Sequence, residues 1–199
     1  MPRKARERSE TGIYHIIMRG INRQSIFEDE EDRQKIIETL VRYKRESEYK
    51  IYAYCLMDNH VHILLREEKE PIGMIMKRIS ASYVYWYNSK HKRCGHLFQE
   101  RFKSEVVDTD SYFLTVLRYI HQNPVKAGIT NEISKYKWSS YREYIGERKL
   151  IDSEFALKIY SEIPEQAIKR FEKYSREESE ENCLEIEETK IHISDDDIR

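Results

Sequence analysis

Apolar positions fall in two rhythms along the chain. Thr11–Gly20 is rich in Ile and Tyr with a glycine near each end and reads as a first strand. From Asp29 to about Ser47, Ile36, Ile37, Leu40, Val41 and Tyr43 recur near the 3.6-residue period, behind acidic residues that suit a helix start. Ile51–Met57 and His60–Arg66 then read as two strands joined at Asp58-Asn59. Ile72, Ile75, Met76, Ile79, Tyr83, Trp86 and Tyr87 mark a second helix over about 72–87, read as a core face. A fourth strand is expected near 102–107. A third helix is expected from Asp110 to about Gln122, stopping before Pro124 because the residue before proline is pushed out of helical geometry.

The order strand, helix, strand, strand, helix, strand, helix predicts an α+β fold. It is a ferredoxin-like, RRM-like split βαβ, with a four-stranded antiparallel sheet carrying helices on one face. Tyr136–Gly146 is expected to pack back on this body. Two domains are expected. Residues 1–149 form the main one. Residues 150–199 form an acidic, helical or partly disordered extension, with a helical pattern over 153–174 broken at Pro164. Ile191–Arg199 would suit the start of a further helix, which is what a chain cut ahead of another module would show.

Charge sharpens that division. Residues 1–149 carry 28 Lys+Arg against 21 Asp+Glu, and residues 150–199 carry 7 against 15, so a net +7 body is joined to a net −8 tail. A basic body can hold a polyanion, and an acidic tail can compete for it. The basic segment Asn88–His96 leads into Phe98, Arg101, Phe102 and Lys103, mixing charge with aromatic rings as single-strand binders do. Arg19, Arg23, Lys92, Arg93, Arg101 and Lys103 are the candidate phosphate and base contacts, chosen by charge and loop position. The odd, scattered cysteines (Cys55, Cys94 and Cys183) fit a reducing cytoplasm. No apolar run is long enough for a membrane span and no secretory signal opens the chain, so a cytoplasmic protein without a membrane partner is expected.

His60 and His62 are two apart on a predicted strand, so both imidazoles point to one face. His15 on the first strand is read as a packed or hydrogen-bonded residue. His91, Cys94 and His96 match no zinc spacing. Tyr119 and Asn123 are four apart, which places them on one helix face if both are helical. Two imidazoles and one amide oxygen make a mixed N/O set with open positions. Such a set suits Mg²⁺ or Mn²⁺ acting as a Lewis acid on a phosphate, and a nearby phenol could then serve as nucleophile. Tyr112, seven residues before Tyr119, lacks an Asn four residues on.

Three segments, Met57–Leu64, the Gly95…Phe98–Lys103 run and Tyr119–Gly128, together resemble the REP-associated tyrosine transposases of the wider HUH single-strand nuclease superfamily. The resemblance covers about residues 8–146, with the three segments in the family's order. It implies that His60 and His62 bind a divalent metal, that Asn123 is the third ligand, and that Tyr119 attacks single-stranded or hairpin DNA. The implied product is a 5′-phosphotyrosyl intermediate with a free 3′-OH, and rejoining follows by transesterification. Trp138–Tyr141 also recurs in the resemblance. It leaves open a homodimer that exchanges the tyrosine helix. Rival readings are a rolling-circle nickase with the same chemistry, a domesticated DNA binder with a silent site, and a structural protein without a DNA partner.

Overall fold

The computed structural model describes residues 6–146, 149–178 and 183–184. Most of the acidic segment after Glu177, and all of Ile191–Arg199, lies outside the described residues.

Four strands, β1 (Ile13–Arg19), β2 (Lys50–Met57), β3 (His60–Arg66) and β4 (Lys103–Val106), form one sheet in the order β2-β3-β1-β4. Every neighbouring pair is antiparallel. β1 and β3 are central, and Ile16, Ile63, Leu64 and Leu65 there have no exposed surface. This is the ferredoxin-like order expected from the alternation of elements.

Helices α1 (Glu30–Ser47) and α2 (Ile72–Lys90) pack on each other. α1 opens on a capping box: Asp29 accepts the Asp32 backbone N–H while the Asp32 carboxylate accepts that of Asp29. The Asp32 carboxylate also binds Lys90 and His91 at the end of α2, so one buried acid clamps two helices. His91 is thereby spent on structure. The α2 stripe is a core face, with Ile75, Met76, Ile79, Tyr83 and Tyr87 buried and Tyr85 81% exposed.

The third helix, α3 (Asp110–Lys126), differs from the expectation in two respects. It runs through Pro124 instead of stopping before it. Proline removes only the N–H that would reach the Ile120 carbonyl. Around that gap the chain is well tied: Asn123 Nδ2 donates to the Tyr119 carbonyl at 2.9 Å, and the N–H groups of Ala127, Gly128 and Ile129 return to Asn123, Val125 and Pro124. Gly128 takes the left-handed φ of +69° that closes the helix. α3 also lies on the opposite face of the sheet from α2. Met18 lines a cleft with α2 residues, whereas Tyr119 of α3 meets His15, three residues away on the same strand and therefore on the other face. Helices thus cover both faces.

Trp138–Ser140 runs along the free edge of β2. The Leu56 N–H reaches the Trp138 carbonyl and the Ser140 N–H reaches Tyr54, both across the outer edge of the sheet. α4 (Tyr141–Ile145) follows, and α5 (Ser153–Tyr160) and α6 (Pro164–Arg176) form the C-terminal helical extension. Phe171 of α6 is fully buried and stacks on Tyr144 with ring centroids 4.4 Å apart.

Candidate active site

The register gathers the site on the sheet face beneath α3. His60 lies opposite Arg19, His62 opposite Ile17, His15 opposite Glu105, and Ile17 opposite Lys103. Cross-strand partners share a face. His60 and His62 therefore stand beside Arg19 and His15, with Lys103 and Glu105 one strand further out. His62 is 2% exposed, and the His60 and His62 rings meet edge to face at 4.9 Å.

Each imidazole has its Nδ1 occupied. His60 Nδ1 is 2.6 Å from Asn59 Oδ1, and His62 Nδ1 is 3.0 Å from His15 Nε2. On each ring the nitrogen left to act as a ligand is Nε2. Burial, with Arg19 nearby, lowers His60 to about 4. Burial and the neighbouring imidazoles of His15 and His60 push His62 well below the ordinary histidine value. Both rings are neutral at neutral pH, as metal-binding imidazoles must be.

Tyr119 comes down onto this pair from α3. Its ring lies edge-on to His62 at 5.6 Å and to His15 at 5.8 Å, and it is 8% exposed. Lys126 Nζ is 5.3 Å from the Tyr119 ring centroid. The helix is pinned by the residues next to Tyr119. His121 Nε2 pairs with Ser140 Oγ at 2.9 Å, and the Gln122 amide donates to the Ser175 and Glu177 carbonyls. Asn123 lies one turn beyond Tyr119. Its Nδ2 is used on the Tyr119 carbonyl, which leaves Oδ1 as its donor toward a cation.

The donors on this face and on the facing helix, two neutral imidazoles whose Nδ1 atoms are occupied and one amide, without a thiolate, are of types that suit a divalent ion. Among the described residues, no cluster of three or more His, Cys, Asp or Glu is arranged to hold a metal.

The basic candidates spread outward from this centre. Arg19 is half-buried beside His60, and Lys103 is exposed on β4. Arg23 ends a short 3₁₀ turn, Ile21–Arg23, in which Asn22 and Arg23 both take positive φ. Arg93 donates to Gln24 Oε1 at 2.9 Å, which ties the 88–96 loop to the same turn. Lys92 and Arg101 are exposed. Arg101 lies near Arg6, which stacks over the Phe102 ring at 3.8 Å.

Two neighbours of the histidines, Asn59 and Glu105, escape a reading by sequence alone, whereas His15, read as packed or hydrogen-bonded, is buried and bonded to His62. Asn59 is adjacent to His60 and could have been suspected. His15 and Glu105 join His62 only through strand register, which no local pattern encodes.

The fold and this face define a class: a ferredoxin-like domain with a histidine pair on one central strand and a helix-borne tyrosine against it. The chain belongs to the IS200-like transposase family, whose family model matches residues 9–123, more than half of the chain. A REP-associated tyrosine transposase solved bound to a REP hairpin matches with a TM-score of 0.64 at 18% identity, over 73% of this chain and 86% of that one. A candidate transposase from Deinococcus radiodurans aligns with a TM-score of 0.42 at 18% identity, over 61% of this chain and 97% of that one. No curated protein matches. Among the described residues, no helix is long and apolar enough to cross a membrane.

Proposed function

We propose that the protein is a divalent-metal-dependent transesterase of single-stranded or hairpin DNA, of the REP-associated type, with Tyr119 as nucleophile. The observation that supports this most directly is the Tyr119 ring edge-on to His62, beside a second histidine whose Nδ1 is likewise held.

The Tyr119 oxygen attacks a backbone phosphorus. The Oη–P bond forms as the P–O3′ bond breaks. The phenol proton is lost, and the departing 3′ oxygen ends as a hydroxyl. The protein is left joined to the 5′-phosphate of the downstream strand, and attack by a 3′-OH reverses the step and rejoins DNA. Mg²⁺ or Mn²⁺, when bound by His60, His62 and Asn123, would supply Lewis-acid polarisation of the phosphate. The burial of Tyr119 in a packed helix fixes the direction of attack, which replaces the entropy cost of aligning a free nucleophile. Arg19, Arg23, Lys92, Arg93, Arg101 and Lys103 hold the DNA through its phosphates.

Hairpin DNA labelled on its 3′ segment tests this directly. In the presence of Mn²⁺ a labelled adduct stable to denaturant is expected. Tyr119→Phe should abolish it and leave hairpin affinity within about twofold, because a lost hydroxyl removes no phosphate charge. An undiminished adduct in Tyr119→Phe would transfer the nucleophile to another residue. Salt-sensitive binding with no adduct from the unaltered protein would identify a non-catalytic DNA binder.

A further inference from the structure

Behind the histidine pair lies a second row of polar groups that the chemistry above does not use. His15 is completely buried in the middle of β1. Its Nε2 is 3.0 Å from His62 Nδ1, and the two rings stack at 5.3 Å and 22°. Its other nitrogen, Nδ1, is 3.8 Å from Glu105 Oε2 and has no hydrogen-bond partner among the described residues. Glu105 is itself held. The Leu184 backbone N–H donates to its Oε2 at 3.0 Å, and the Tyr112 hydroxyl lies near the carboxylate.

A neutral imidazole carries one proton, so a row of two imidazoles ending at a carboxylate has only two arrangements. In the first, His15 carries its proton on Nδ1, aimed at Glu105. Its Nε2 lone pair then accepts from His62 Nδ1–H, and His62 Nε2 is left with a lone pair. In the second, every proton is moved to the other nitrogen. His15 Nδ1 would then turn a lone pair toward a carboxylate oxygen in a buried site, and His62 Nε2 would bear a proton and could not bind a cation. Repulsion between the buried lone pair and the carboxylate disfavours the second arrangement.

We propose that Glu105 and His15 are positioning residues for His62. The charge of Glu105, passed through the proton of His15, fixes the His62 tautomer and leaves Nε2 as its ligand atom. This rests on the proposed function above and extends it to two residues outside the proposed ligand set and DNA contacts. Burial alone would raise the Glu105 carboxyl. The nearby His15 imidazole and Tyr112 hydroxyl, with the Leu184 N–H, outweigh it and hold the carboxyl below its usual value, so the charge is present at neutral pH. Outer partners of this kind typically change metal affinity by ~10- to 100-fold when removed.

The decisive measurement is long-range ¹⁵N–¹H NMR of the full chain labelled at histidine, without metal, together with Mn²⁺ titration followed by EPR of the free ion. In the unaltered protein His62 is expected as the Nδ1–H tautomer. Glu105→Gln and His15→Phe should each weaken Mn²⁺ binding by ~10-fold or more. Glu105→Gln should also convert His62 to a tautomer mixture, while circular dichroism stays native. Finding His62 as Nε2–H in the unaltered protein overturns the proposal, and that reading needs no variant to fold. Mn²⁺ affinity within twofold of the unaltered protein in a folded Glu105→Gln variant overturns it as well. His62→Ala separates the two levels. If His62→Ala binds Mn²⁺ as tightly as the unaltered protein, the metal site itself is misplaced. If His62→Ala loses binding and Glu105→Gln does not, only the relay is wrong.

Discussion

Asn123 shows how much one side chain can settle. Its amide serves the helix through Nδ2, and the proposed cation would take Oδ1, so structure and chemistry would use opposite ends of the same group. Asn123→Ala should keep α3 helical, because alanine is the best helix former. It should still lower Mn²⁺ affinity by ~10-fold, through the loss of a ligand oxygen. Normal helicity with unchanged Mn²⁺ affinity would remove Asn123 from the ligand set. His121, two residues earlier, faces the other way. It is fully buried among Tyr141, Tyr144 and Phe171, and burial lowers it to about 3. Its ring is neutral in the folded protein, while the unfolded chain takes up a proton near pH 6.5. The stability it contributes is complete above pH 6.5 and is lost progressively as pH falls from there toward 3, by up to ~1.4 kcal/mol per pH unit. Chemical denaturation of His121→Gln at pH 7 and pH 5 should show a smaller loss between the two than the unaltered protein shows. An equal loss would mean that other groups carry the acid sensitivity.

At the scale of elements, the loop after β1 is the most tightly constrained. A Cβ on Gly20 would come within 2.3 Å of the Gln24 carbonyl oxygen and 2.9 Å of an Ile26 methyl, a backbone clash that no rotamer relieves. Gly20→Ala should destabilise the protein by ~1–3 kcal/mol. It should also weaken DNA binding, since the loop carries Arg23 and follows Arg19. Thermal unfolding and hairpin titration check the two effects separately. α6 is a second such case. Phe171→Ala should cost ~3–5 kcal/mol, and because α6 carbonyls receive the Gln122 amide, the same change should loosen the helix that bears Tyr119. Faster hydrogen exchange at α3 in that variant would report it, and unchanged exchange would show that α3 is held without α6. The element types were largely legible in the sequence: both hairpin strands, α1, α2 and β4 lie within a few residues of where periodicity puts them. The end of α3 was not legible. A proline ordinarily ends a helix, and the side-chain bond from Asn123 and the Gly128 closure that carry the helix past it are contacts that a pattern of apolar positions does not contain.

For the whole molecule, the proposed function makes the basic body the element that sets behaviour toward DNA. Hairpin affinity should fall steeply as salt rises, and Lys103→Ala should reduce the slope of log K against log salt by ~0.7–0.9, the share of one phosphate contact. An unchanged slope would place Lys103 away from the DNA. The sequence by itself determined the alternation of elements, the shared face of His60 and His62, and the pairing of Tyr119 with Asn123 along a helix. All of these follow from the 2-residue and 3.6-residue periods of a single segment. Tertiary structure alone decided that α3 covers the face bearing the histidines, that Arg19 stands opposite His60, and that His15 and Glu105 line up behind His62. These depend on which strands pair and in what register. That outcome is set by how the whole core packs, and residues 47 or 90 positions apart carry no local mark of it.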